Sequence, residues 1–405
     1  MSAIPLYVLG GVNLGIGVYS LFSTLAYYRY AKRSRRQNSE GTYRPSVALL
    51  VPCCGDEEGL EENLRALVRQ DYEALEVIFI VEDGSDPAVP IIERVLGSES
   101  RSGELVVAGP AERRGQKIHN LIAGLERARD VEIFAFADSD GRPDSGWLAH
   151  LVSPLREPRV GVASSYRFYL PEPGSLASVL RSAWNAGVLT LLGEHDRNFA
   201  WGGSMAIRRG TFVEAKVEDA WRGALSDDYT LTHAVRRAGY YVKFVPRSIV
   251  ASRGRVKMRE LLHWCARQMA ITRVYWPNLW RIGGGSQVAF VLFLIAGSMA
   301  AAFGNVGAAV LLGVVLLLSW LSGGIRARAV RLFLPKWSAE LRRYDWAYVL
   351  LAPVTSFITV YGFVSSALSR RIEWRGKVYE MQSPSDTLLL GPVTPGVEAK
   401  ARKMR

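Results

Sequence analysis

Three short acidic clusters contain the residues that could do chemistry in this chain. They are Glu82-Asp83-Gly84-Ser85-Asp86, Asp138-Ser139-Asp140 and Asp227-Asp228. Side chains two residues apart on an extended segment project to the same side, so Asp138 and Asp140 could aim two carboxylates at one cation. Hard cations such as Mg²⁺ or Mn²⁺ take oxygen ligands and commonly share them with substrate phosphates. The second cluster therefore predicts a divalent-metal site, with a turn or a solvated loop as the alternative.

Two basic segments accompany the acidic clusters. Lys117 stands at the start of a helical pattern, where a phosphate or a nucleotide could bind, and a solvated basic turn is the alternative. The third acidic cluster, Asp227-Asp228, has an alternative to a chemical role, which is to form the N-cap of the following helix. The second basic segment, 253–281, interleaves arginines with Trp and Tyr, as nucleic-acid-binding proteins also do. Because it directly precedes an apolar hairpin, we interpret 253–285 as interfacial amphipathic helices and expect no nucleic-acid partner.

The segment that must position these residues, 40–252, alternates strand and helix patterns. Predicted strands are Val47–Val51, Glu76–Val81, Glu104–Ala108 and Ile133–Ala137, and predicted helices are Leu60–Gln70, Pro90–Val95, Gln116–Ala128 and Tyr229–Ala238. This alternation is typical of a doubly wound, mostly parallel α/β sheet. Such sheets bind ligands at the carboxyl ends of their strands. The first two acidic clusters directly follow predicted strands, so they fall at that edge.

Composition excludes several classes of protein. The chain has 405 residues, 49% of them hydrophobic, which excludes disorder for most of its length. The middle is too polar for a protein made only of membrane helices. With 50 basic and 38 acidic residues the net charge is +12, which is compatible with nucleic acid, an anionic membrane surface or phosphate-bearing substrates. Only three cysteines are present, which argues against a disulfide framework and fits a reducing compartment or a cytoplasmic face.

The N-terminal segment 1–28 contains no charged side chain. Within it, Ile4–Tyr28 is long enough to cross ~30 Å of hydrocarbon as a helix. A basic run follows the apolar stretch, whereas a secretory signal peptide carries its positive charge before it. We therefore predict a retained transmembrane anchor whose C-terminal side is cytoplasmic, which makes 40–252 a cytoplasmic domain. A buried helix of a soluble protein is the alternative.

Residues 286–368 form a second apolar region. Ser286–Gly304 and Val306–Leu321 predict two membrane spans. Leu332–Arg343 is basic with interleaved Leu, Phe and Trp, which predicts a helix lying at the membrane interface.

The third apolar stretch, Trp346–Leu368, either spans the membrane or is re-entrant with a break at Pro353. Basic segments flank it on both sides, and a crossing would place one of them on the wrong side of the membrane. The sequence leaves both options open. The remainder, 369–405, is a basic tail that we expect to be loose after Pro384.

Seven motifs together resemble a known family. They are Val81–Ala88, Lys117–Leu121, Asp138–Asp140, Gly193–Arg197, Gly202–Ala206, Ser226–Tyr229 and Ile372–Tyr379. In this order and spacing they resemble the family-2 type of inverting nucleotide-sugar glycosyltransferases, closest to the ceramide glucosyltransferases and their bacterial relatives. The resemblance runs from the first anchor to about residue 381. It implies a nucleotide-diphospho-sugar transferase fold of the GT-A type.

One motif departs from the family pattern. Where the family has Gln/Arg-x-x-Arg-Trp, this chain reads Trp264-Cys265-Ala266-Arg267-Gln268. The arginine is kept, whereas the first residue and the final tryptophan are replaced. The missing tryptophan weakens an assignment to the processive polysaccharide synthases, whose Trp belongs to the acceptor site.

The resemblance implies a donor site made of the first two acidic clusters. Asp83 would contact the uridine of the donor, with Glu82 and Lys117 beside it. Asp138 and Asp140 would hold the donor diphosphate through Mg²⁺ or Mn²⁺, with Asp140 as the preferred direct ligand.

The resemblance also implies catalytic and acceptor residues. Asp228 would be the general base that deprotonates the acceptor hydroxyl, with Asp227 as the rival base. Arg267 and the metal would offset the charge that grows on the departing diphosphate. The acceptor-side residues that the motifs imply are His195, Arg197, Gly203, Trp264, Gln268 and Trp374.

These roles predict a membrane-bound, inverting enzyme that moves glucose from UDP-glucose to a ceramide-type lipid at the cytoplasmic face, which in a bacterium is that of the inner membrane. Acceptor alternatives are diacylglycerol, or a hopanoid lipid with UDP-N-acetylglucosamine as the donor. A processive polysaccharide synthase and a non-catalytic membrane scaffold are further alternatives. The sequence leaves open the sugar, the lipid, the metal and the oligomeric state.

Overall fold

The computed structural model describes residues 4–36, 43–101, 103–128 and 130–392. Its strands up to residue 252 are β1 (Val47–Pro52), β2 (Leu75–Val81), β3 (Gly103–Val107), β4 (Ile133–Ala137), β5 (Val160–Ser164), β6 (Arg167–Tyr169), β7 (Ser204–Arg208), β8 (Tyr241–Phe244) and β9 (Val250–Ser252). Its α-helices up to that point are α1 (Ile4–Arg36), α2 (Leu60–Val68), α3 (Val89–Ser98), α4 (Gln116–Arg127), α5 (Trp147–Val152), α6 (Leu176–Leu189), α7 (Arg209–Glu214), α8 (Val217–Trp221) and α9 (Asp227–Arg237).

The largest sheet has seven strands in the order β3-β2-β1-β4-β7-β5-β8. β1 pairs in parallel with β2 and β4, β2 with β3, and β5 with β8, while β7 runs antiparallel to both its neighbours. Side chains on both faces of β1 and β2 are buried in two hydrophobic cores, one on each face of the sheet. Burial on both faces explains their continuous apolar sequences. The prediction of a doubly wound, mostly parallel α/β sheet is confirmed.

The four predicted strands agree with the structure to within one residue at either end. The helix of the third acidic cluster differs more, because α9 begins at Asp227 rather than at Tyr229. Ser226 caps it, since its Oγ accepts a hydrogen bond from the N–H of Tyr229. Asp227 and Asp228 therefore lie in the first turn of a helix, where the helix dipole favours negative charge.

Beyond residue 252 the α-helices are α10 (Met258–Tyr275), α11 (Pro277–Ala302), α12 (Val306–Phe333), α13 (Ser338–Arg342), α14 (Asp345–Leu350) and α15 (Ala352–Leu368). Among the described helices, α1, α11 and α12 are long and apolar enough to cross a membrane. Large apolar side chains on them are exposed, such as Val306, 73% exposed, and Val310, 62% exposed. Continuous exposed apolar surface of this kind suits contact with lipid. Helix α1 continues to Arg36, so the predicted anchor and its basic run form one helix.

Glycines let the three long helices pack closely. A Cβ on Gly10 would lie 2.2 Å from Leu311 Cδ2, and one on Gly17 would lie 3.1 Å from a side chain of α12. Asn13, also on α1, donates a hydrogen bond to the carbonyl oxygen of Ala289 in α11. Close backbone approach and interhelical hydrogen bonds are main sources of helix association in lipid. The three helices therefore form one bundle.

Two segments predicted as interfacial are arranged differently. Residues 253–285 contain α10 and also the first turns of α11, which begins at Pro277. The segment 332–343 is not one helix but the end of α12, a short 3₁₀ turn and α13. The physical reason is that no proline interrupts the helical pattern of α12 between the predicted end at Leu321 and Pro335.

The third apolar stretch is broken between α14 and α15, just before Pro353. Helix α15 runs alongside α10 in the same direction. The carbonyl oxygen of Ile358 accepts a hydrogen bond from Cys265 Sγ (3.6 Å), and that of Ser366 accepts one from Arg273 (2.5 Å). The break and this side-by-side packing favour the re-entrant option over a separate span.

Residues 371–392 form a three-stranded antiparallel sheet of β10 (Arg371–Trp374), β11 (Lys377–Ser383) and β12 (Asp386–Pro392). The expectation of a loose tail after Pro384 is therefore wrong as far as residue 392, and 393–405 lie outside the described residues. The physical reason is burial, because Tyr379 and Met381 pack into the core on one face of the large sheet.

Gly223 allows the three-stranded sheet to dock. A Cβ at this position would lie 1.9 Å from the carbonyl oxygen of Ser385, in the turn between β11 and β12. We expect Gly223→Ala to displace this turn, because a backbone atom cannot move aside without moving the sheet. Limited proteolysis should then cut between Ser383 and Asp386 several times faster than in the wild type. Gly210→Ala is the matched control, since an added Cβ there has no neighbour within 4 Å; equal cleavage of the two variants would contradict the prediction.

Candidate active site

A buried lysine joins the second and third acidic clusters. Lys117 Nζ lies 2.8 Å from Asp138 Oδ1 and 3.1 Å from Asp227 Oδ2. The lysine is in the first turn of α4, Asp138 directly follows β4, and Asp227 begins α9. One side chain therefore fixes three elements relative to each other at the edge where open α/β sheets bind ligands.

Two consecutive glycines permit this close approach. A Cβ on Gly202 would lie 2.2 Å from Asp227 Oδ2, and one on Gly203 would lie 2.3 Å from Asp138 Oδ2. Any larger residue would therefore push a carboxylate away from Lys117. Gly203 was predicted on the acceptor side, but the structure places it against a residue predicted to bind the donor.

Burial and ion pairing set the charges of this cluster. Burial alone would raise the pKa of Asp138, but Lys117 and Arg167 outweigh it, and the pKa of Asp138 lies below its ordinary value. Burial raises the pKa of Asp227 to about 6, although Lys117 opposes the rise. Burial would lower the pKa of Lys117, but its two carboxylate partners hold that pKa above its ordinary value. Asp138 and Lys117 are thus charged at neutral pH, and Asp227 takes up a proton on mild acidification.

Asp228 lies beside this cluster but is held by neutral donors. Its Oδ1 accepts hydrogen bonds from Ser226 Oγ (2.5 Å) and from the N–H of Tyr229 (2.7 Å). Its Oδ2 accepts one from the N–H of Gly202 (3.3 Å). These donors orient the carboxylate without neutralising it, and Asp228 lines a cavity. The geometry suits a group that takes a proton from a ligand in that cavity.

Asp140 lies between two arginines. Its Oδ2 is 2.7 Å from Arg167 Nη2 and 3.5 Å from Arg375 Nη2. Its Oδ1 is buried and has no hydrogen-bond partner within the described residues. A buried carboxylate oxygen without a partner costs free energy, and a divalent cation would supply that partner. Asp140 therefore fits the predicted role of a metal ligand.

The described part of the chain offers no complete protein cage for a metal ion. No group of three or more His, Cys, Asp or Glu side chains is placed to hold one there. Mg²⁺ commonly binds through one or two carboxylates and is completed by substrate phosphates and water. Asp140 and the adjacent Asp138 therefore fit a metal that is held jointly with a phosphorylated ligand.

The first acidic cluster is partly covered by the C-terminal sheet. Lys377 Nζ lies 2.5 Å from Glu82 Oε1 and 3.3 Å from Gln116 Oε1. Asp83 is exposed, and its Oδ1 accepts hydrogen bonds from the Oγ and the N–H of Ser85, both at 2.7 Å. These bonds lower the pKa of Asp83. Asp83 is therefore an ionised, oriented and accessible acceptor for donor groups of a ligand.

The turn between β10 and β11 brings further side chains to the site. It bends at Arg375, whose φ of 50° is typical of two-residue hairpin turns. Arg375 forms ion pairs with Glu57 and Asp140. The ring of Trp374 lies 5.8 Å from the guanidinium of Arg267 in α10, a cation–π contact. Two predicted site residues, Trp374 and Arg267, are thus brought together by this turn.

A cavity of about 530 Å³ connects Asp228 with the membrane helices. Around Asp228 it is lined by Arg167, Trp201 and Gln268, and farther along it is lined by residues of α6, α10, α15, α1, α11 and α12. Trp264, another predicted acceptor residue, also lines it. Volumes of this size are typical of small-molecule sites. The cavity therefore links a carboxylate at the edge of the sheet with the interior of the membrane bundle.

A second cavity, of about 900 Å³, adjoins the same site. It is lined by Asp140 and by residues from α2, the end of α1 and the turn after α12, such as Asn63 and Trp337. The first cavity is lined instead by Arg167. The 2.7 Å ion pair between Arg167 and Asp140 therefore stands at the boundary between the two cavities.

Comparison with known proteins identifies the family. The sequence model of glycosyl transferase family 21 matches residues 14–386 of this chain. The chain belongs to glycosyl transferase family 21. The resemblance to the ceramide glucosyltransferases and their bacterial relatives is thereby confirmed.

Two curated proteins are similar to parts of this family 21 glycosyltransferase. An N-acetylglucosaminyltransferase of Bradyrhizobium diazoefficiens is 23% identical over 267 residues, which cover 59% of this chain and 52% of that protein. A ceramide glucosyltransferase of Gibberella zeae is 27% identical over 179 residues, which cover 40% of this chain and 33% of that protein. The chain thus matches about half of the first relative and a third of the second.

Solved structures of glycosyltransferases are also similar. The mannosyltransferase PcManGT from Pyrobaculum calidifontis, in complex with GDP-Man and Mn²⁺, is 22% identical and has a TM-score of 0.48, with 85% of this chain and 98% of that chain covered. GalNAc-T7, solved with UDP, GalNAc and Mn²⁺, is 14% identical with a TM-score of 0.41, with 61% of this chain and 52% of that chain covered.

Two predicted acceptor residues of the family 21 glycosyltransferase lie outside the 530 Å³ cavity. His195 and Arg197 are exposed, and the N–H of Arg197 donates a hydrogen bond to His195 Nδ1 (3.2 Å). The neighbouring Glu194 pairs with Arg33 and so holds this loop against the end of α1. Their place in the acceptor site stays a prediction, and this geometry gives it no support.

Three cations of the site were missed from the sequence. Arg167 lies three residues beyond the end of β5, at the same sheet edge as the acidic clusters, and that position was an available signal. Arg375 and Lys377 belong to the motif Ile372–Tyr379, from which only Trp374 was assigned. Their pairing with residues about 300 positions earlier is long-range and leaves no local pattern.

The raised pKa of Asp227 predicts a pH dependence of stability. Between about pH 4 and pH 6 the folded state retains a proton on Asp227 that the unfolded chain has lost. The contribution of Asp227 to the free energy of unfolding therefore falls as pH rises through this window. Asp227→Asn should therefore raise the melting temperature by a few degrees at pH 7.5, with a gain that shrinks toward pH 4. Thermal unfolding in detergent measures this, with exposed Asp196→Asn as the control. A gain that does not change with pH would refute the assignment.

Proposed function

We propose that this protein is a membrane-bound, inverting glycosyltransferase that transfers glucose from UDP-glucose to the hydroxyl of a ceramide-type lipid. The observation that carries the proposal is the 530 Å³ cavity, which connects Asp228 with helices α1, α11 and α12. A lipid that enters between membrane helices would present its hydroxyl at this carboxylate. A water-soluble acceptor would have no need of an opening on that side.

The donor would lie along the carboxyl ends of β2 and β4. Asp83 offers an exposed acceptor to the nucleoside, while Asp140 offers a free carboxylate oxygen near the diphosphate. Mg²⁺ or Mn²⁺ held by Asp140 and Asp138 would neutralise charge on that diphosphate. Arg167 and Arg375, both paired with Asp140, would add positive charge beside the leaving group.

Asp228 suits the role of general base better than Asp227. The Asp227 carboxylate is buried and its Oδ2 is paired with Lys117, so it is not free to meet the acceptor. Among the described residues, only neutral groups donate hydrogen bonds to Asp228, which lines the cavity. An acceptor hydroxyl has a high pKa, so the proton would move to Asp228 as the new C–O bond forms. One in-line displacement would invert the anomeric centre and give a β-glycoside.

Arg267 would support departure of the UDP. Burial lowers the pKa of Arg267, while nearby Arg167 adds to this and Asp140 opposes it, so Arg267 is a desolvated cation close to both of them. An anion entering this region would be stabilised by several cations at once. Trp374 holds the Arg267 guanidinium by its cation–π contact and so contributes through Arg267.

The membrane arrangement follows from the same proposal. Segment 1–28 would be the anchor, 40–252 the cytoplasmic catalytic domain and 253–285 the interfacial region. Helices α14 and α15 would form a re-entrant segment within 286–368. That option keeps the basic segments on either side of it at the cytoplasmic face, as the distribution of positive charge favours.

Donor and acceptor are tested together with purified protein in detergent. It receives UDP-glucose or UDP-N-acetylglucosamine, one of ceramide, diacylglycerol and a hopanoid polyol, and Mg²⁺, Mn²⁺ or EDTA. We expect β-glucosylceramide in the presence of metal. We expect Asp228→Asn to lose about 10²- to 10⁴-fold in rate, because it removes the base.

Exposed Asp219→Asn is the matched control and should retain wild-type rates. Transfer to diacylglycerol but not to ceramide would overturn the proposed acceptor. Consumption of UDP-N-acetylglucosamine alone would overturn the proposed donor. Full activity of Asp228→Asn would overturn the proposed base.

A further inference from the structure

The membrane side of the acceptor cavity carries polar side chains that each have one buried atom without a hydrogen-bond partner in the described part of the chain. They are Asn13 of α1, Gln287 of α11, and Ser322 and Arg326 of α12, which we call the intramembrane polar cluster. Within the described residues, Asn13 Oδ1, Gln287 Oε1, Ser322 Oγ and Arg326 Nε are buried without a hydrogen-bond partner. Four such atoms line one cavity between helices. They require a ligand or water as a hydrogen-bond partner.

The free energy of this arrangement is unfavourable without a partner. Each unsatisfied buried donor or acceptor costs about 1–3 kcal/mol. A guanidinium within a membrane helix costs more, and Arg326 has no acidic partner in the described residues. Intramembrane ionisable side chains of this kind commonly mark a binding site or a pathway. Bundle packing does not explain the cluster, because apolar side chains at the same positions would pack without this cost.

The orientation of Asn13 is fixed by its own hydrogen bonds. Its Nδ2 donates to the carbonyl oxygens of Leu9 (2.8 Å) and Ala289 (3.2 Å), and the side chain is only 2% exposed. The amide oxygen is therefore the atom left without a partner. Asn13 and Gln287 thus offer acceptors, whereas the Arg326 guanidinium offers donors.

The depth of three members of the cluster, Gln287, Ser322 and Arg326, matches that of a lipid backbone. The turn at Gly304-Asn305 joins α11 to α12 at the far end of both helices. About 20 helical residues cross the hydrocarbon, which places its near boundary at about residue 284 in α11 and about residue 325 in α12. Gln287 and Ser322 lie within about one helical turn of that boundary, and Arg326 lies at it. Lipid amides, esters and backbone hydroxyls occupy this level, just beneath the head group.

We infer that the intramembrane polar cluster recognises the polar backbone of the acceptor lipid and selects lipids that carry an amide. An amide next to the reacting hydroxyl supplies an N–H donor for Asn13 or Gln287 and a carbonyl acceptor for Arg326. Diacylglycerol has ester carbonyls in place of the amide and no N–H, so neither side-chain oxygen would gain this donor. This inference rests on the proposed function, because it assumes that the acceptor enters the 530 Å³ cavity.

Lipid binding without sugar donor tests the inference apart from catalysis. Unlabelled ceramide, ceramide methylated at its amide nitrogen, and diacylglycerol with the same chains compete against radiolabelled ceramide on detergent-purified protein. We expect ceramide to bind at least tenfold more tightly than the other two, because each of those lacks the amide N–H.

Single variants then assign the preference to the cluster. Gln287→Met removes an acceptor, and we expect it to reduce the preference for ceramide over N-methyl ceramide about tenfold or more. Arg326→Met removes the donor, and we expect it to weaken binding of all three lipids, since each has a carbonyl. Arg328→Met is the matched control on the same helix, because Arg328 is exposed and does not line the cavity.

The outcomes separate the inference from the proposed function. If wild-type protein glycosylates ceramide but neither cluster variant changes lipid binding, the polar atoms hold only water, and the inference is wrong while the function stands. If the wild-type protein neither binds nor glycosylates any of these lipids, the proposed function is wrong, and the inference that rests on it is wrong with it. Loss of preference in Gln287→Met with unchanged binding in Arg328→Met would establish the assignment.

Discussion

The buried ion pairs of Lys117 are the interaction on which the site depends. One ammonium group lies between Asp138, after β4, and Asp227, at the start of α9. Without the lysine, two carboxylates would be buried close together without the one cation that pairs with both, which is strongly unfavourable. With it, the end of the parallel sheet and the helix that carries Asp228 are held in one geometry. The carboxylates proposed to bind the donor and the proposed general base are thus parts of a single electrostatic unit.

A second ion pair, between Arg167 and Asp140, divides the space around that unit. Asp140 lines the larger cavity, and Arg167 lines the cavity that extends between the membrane helices. Charge therefore concentrates at the boundary where a water-soluble nucleotide sugar and a lipid would meet. The rest of the chain would support such a meeting, because the sheet presents the carboxylates and the three-helix bundle would bring the membrane to them.

Local sequence patterns were sufficient to predict the parts of the structure that depend on residues close together in the sequence. The period of apolar residues predicted β1, β2, β3 and β4 to within a residue, and strand ends predicted the place of Asp83 and Asp138. Contacts between distant parts of the chain could not be predicted in this way. The docking of the sheet at 371–392 depends on side chains buried against residues far away in sequence, and no local pattern distinguishes such a sheet from a loose basic tail. The position of the loop that carries His195 is likewise set by a long-range contact, the ion pair of the neighbouring Glu194 with Arg33 of α1.

The C-terminal sheet has a consequence for the order in which the protein matures. Arg375 and Lys377 pair with Glu57 and Glu82, which follow β1 and β2 and leave the ribosome about 300 residues earlier. The large sheet is able to form as soon as its own strands have been synthesised, since domains generally fold from the N-terminal side during synthesis. The cleft at its edge, however, is complete only after α11, α12 and α15 have been made and placed. Assembly of the catalytic centre is therefore coupled to membrane insertion of the chain, and a chain cut short before its last strands carries the acidic clusters without the cations that cover them.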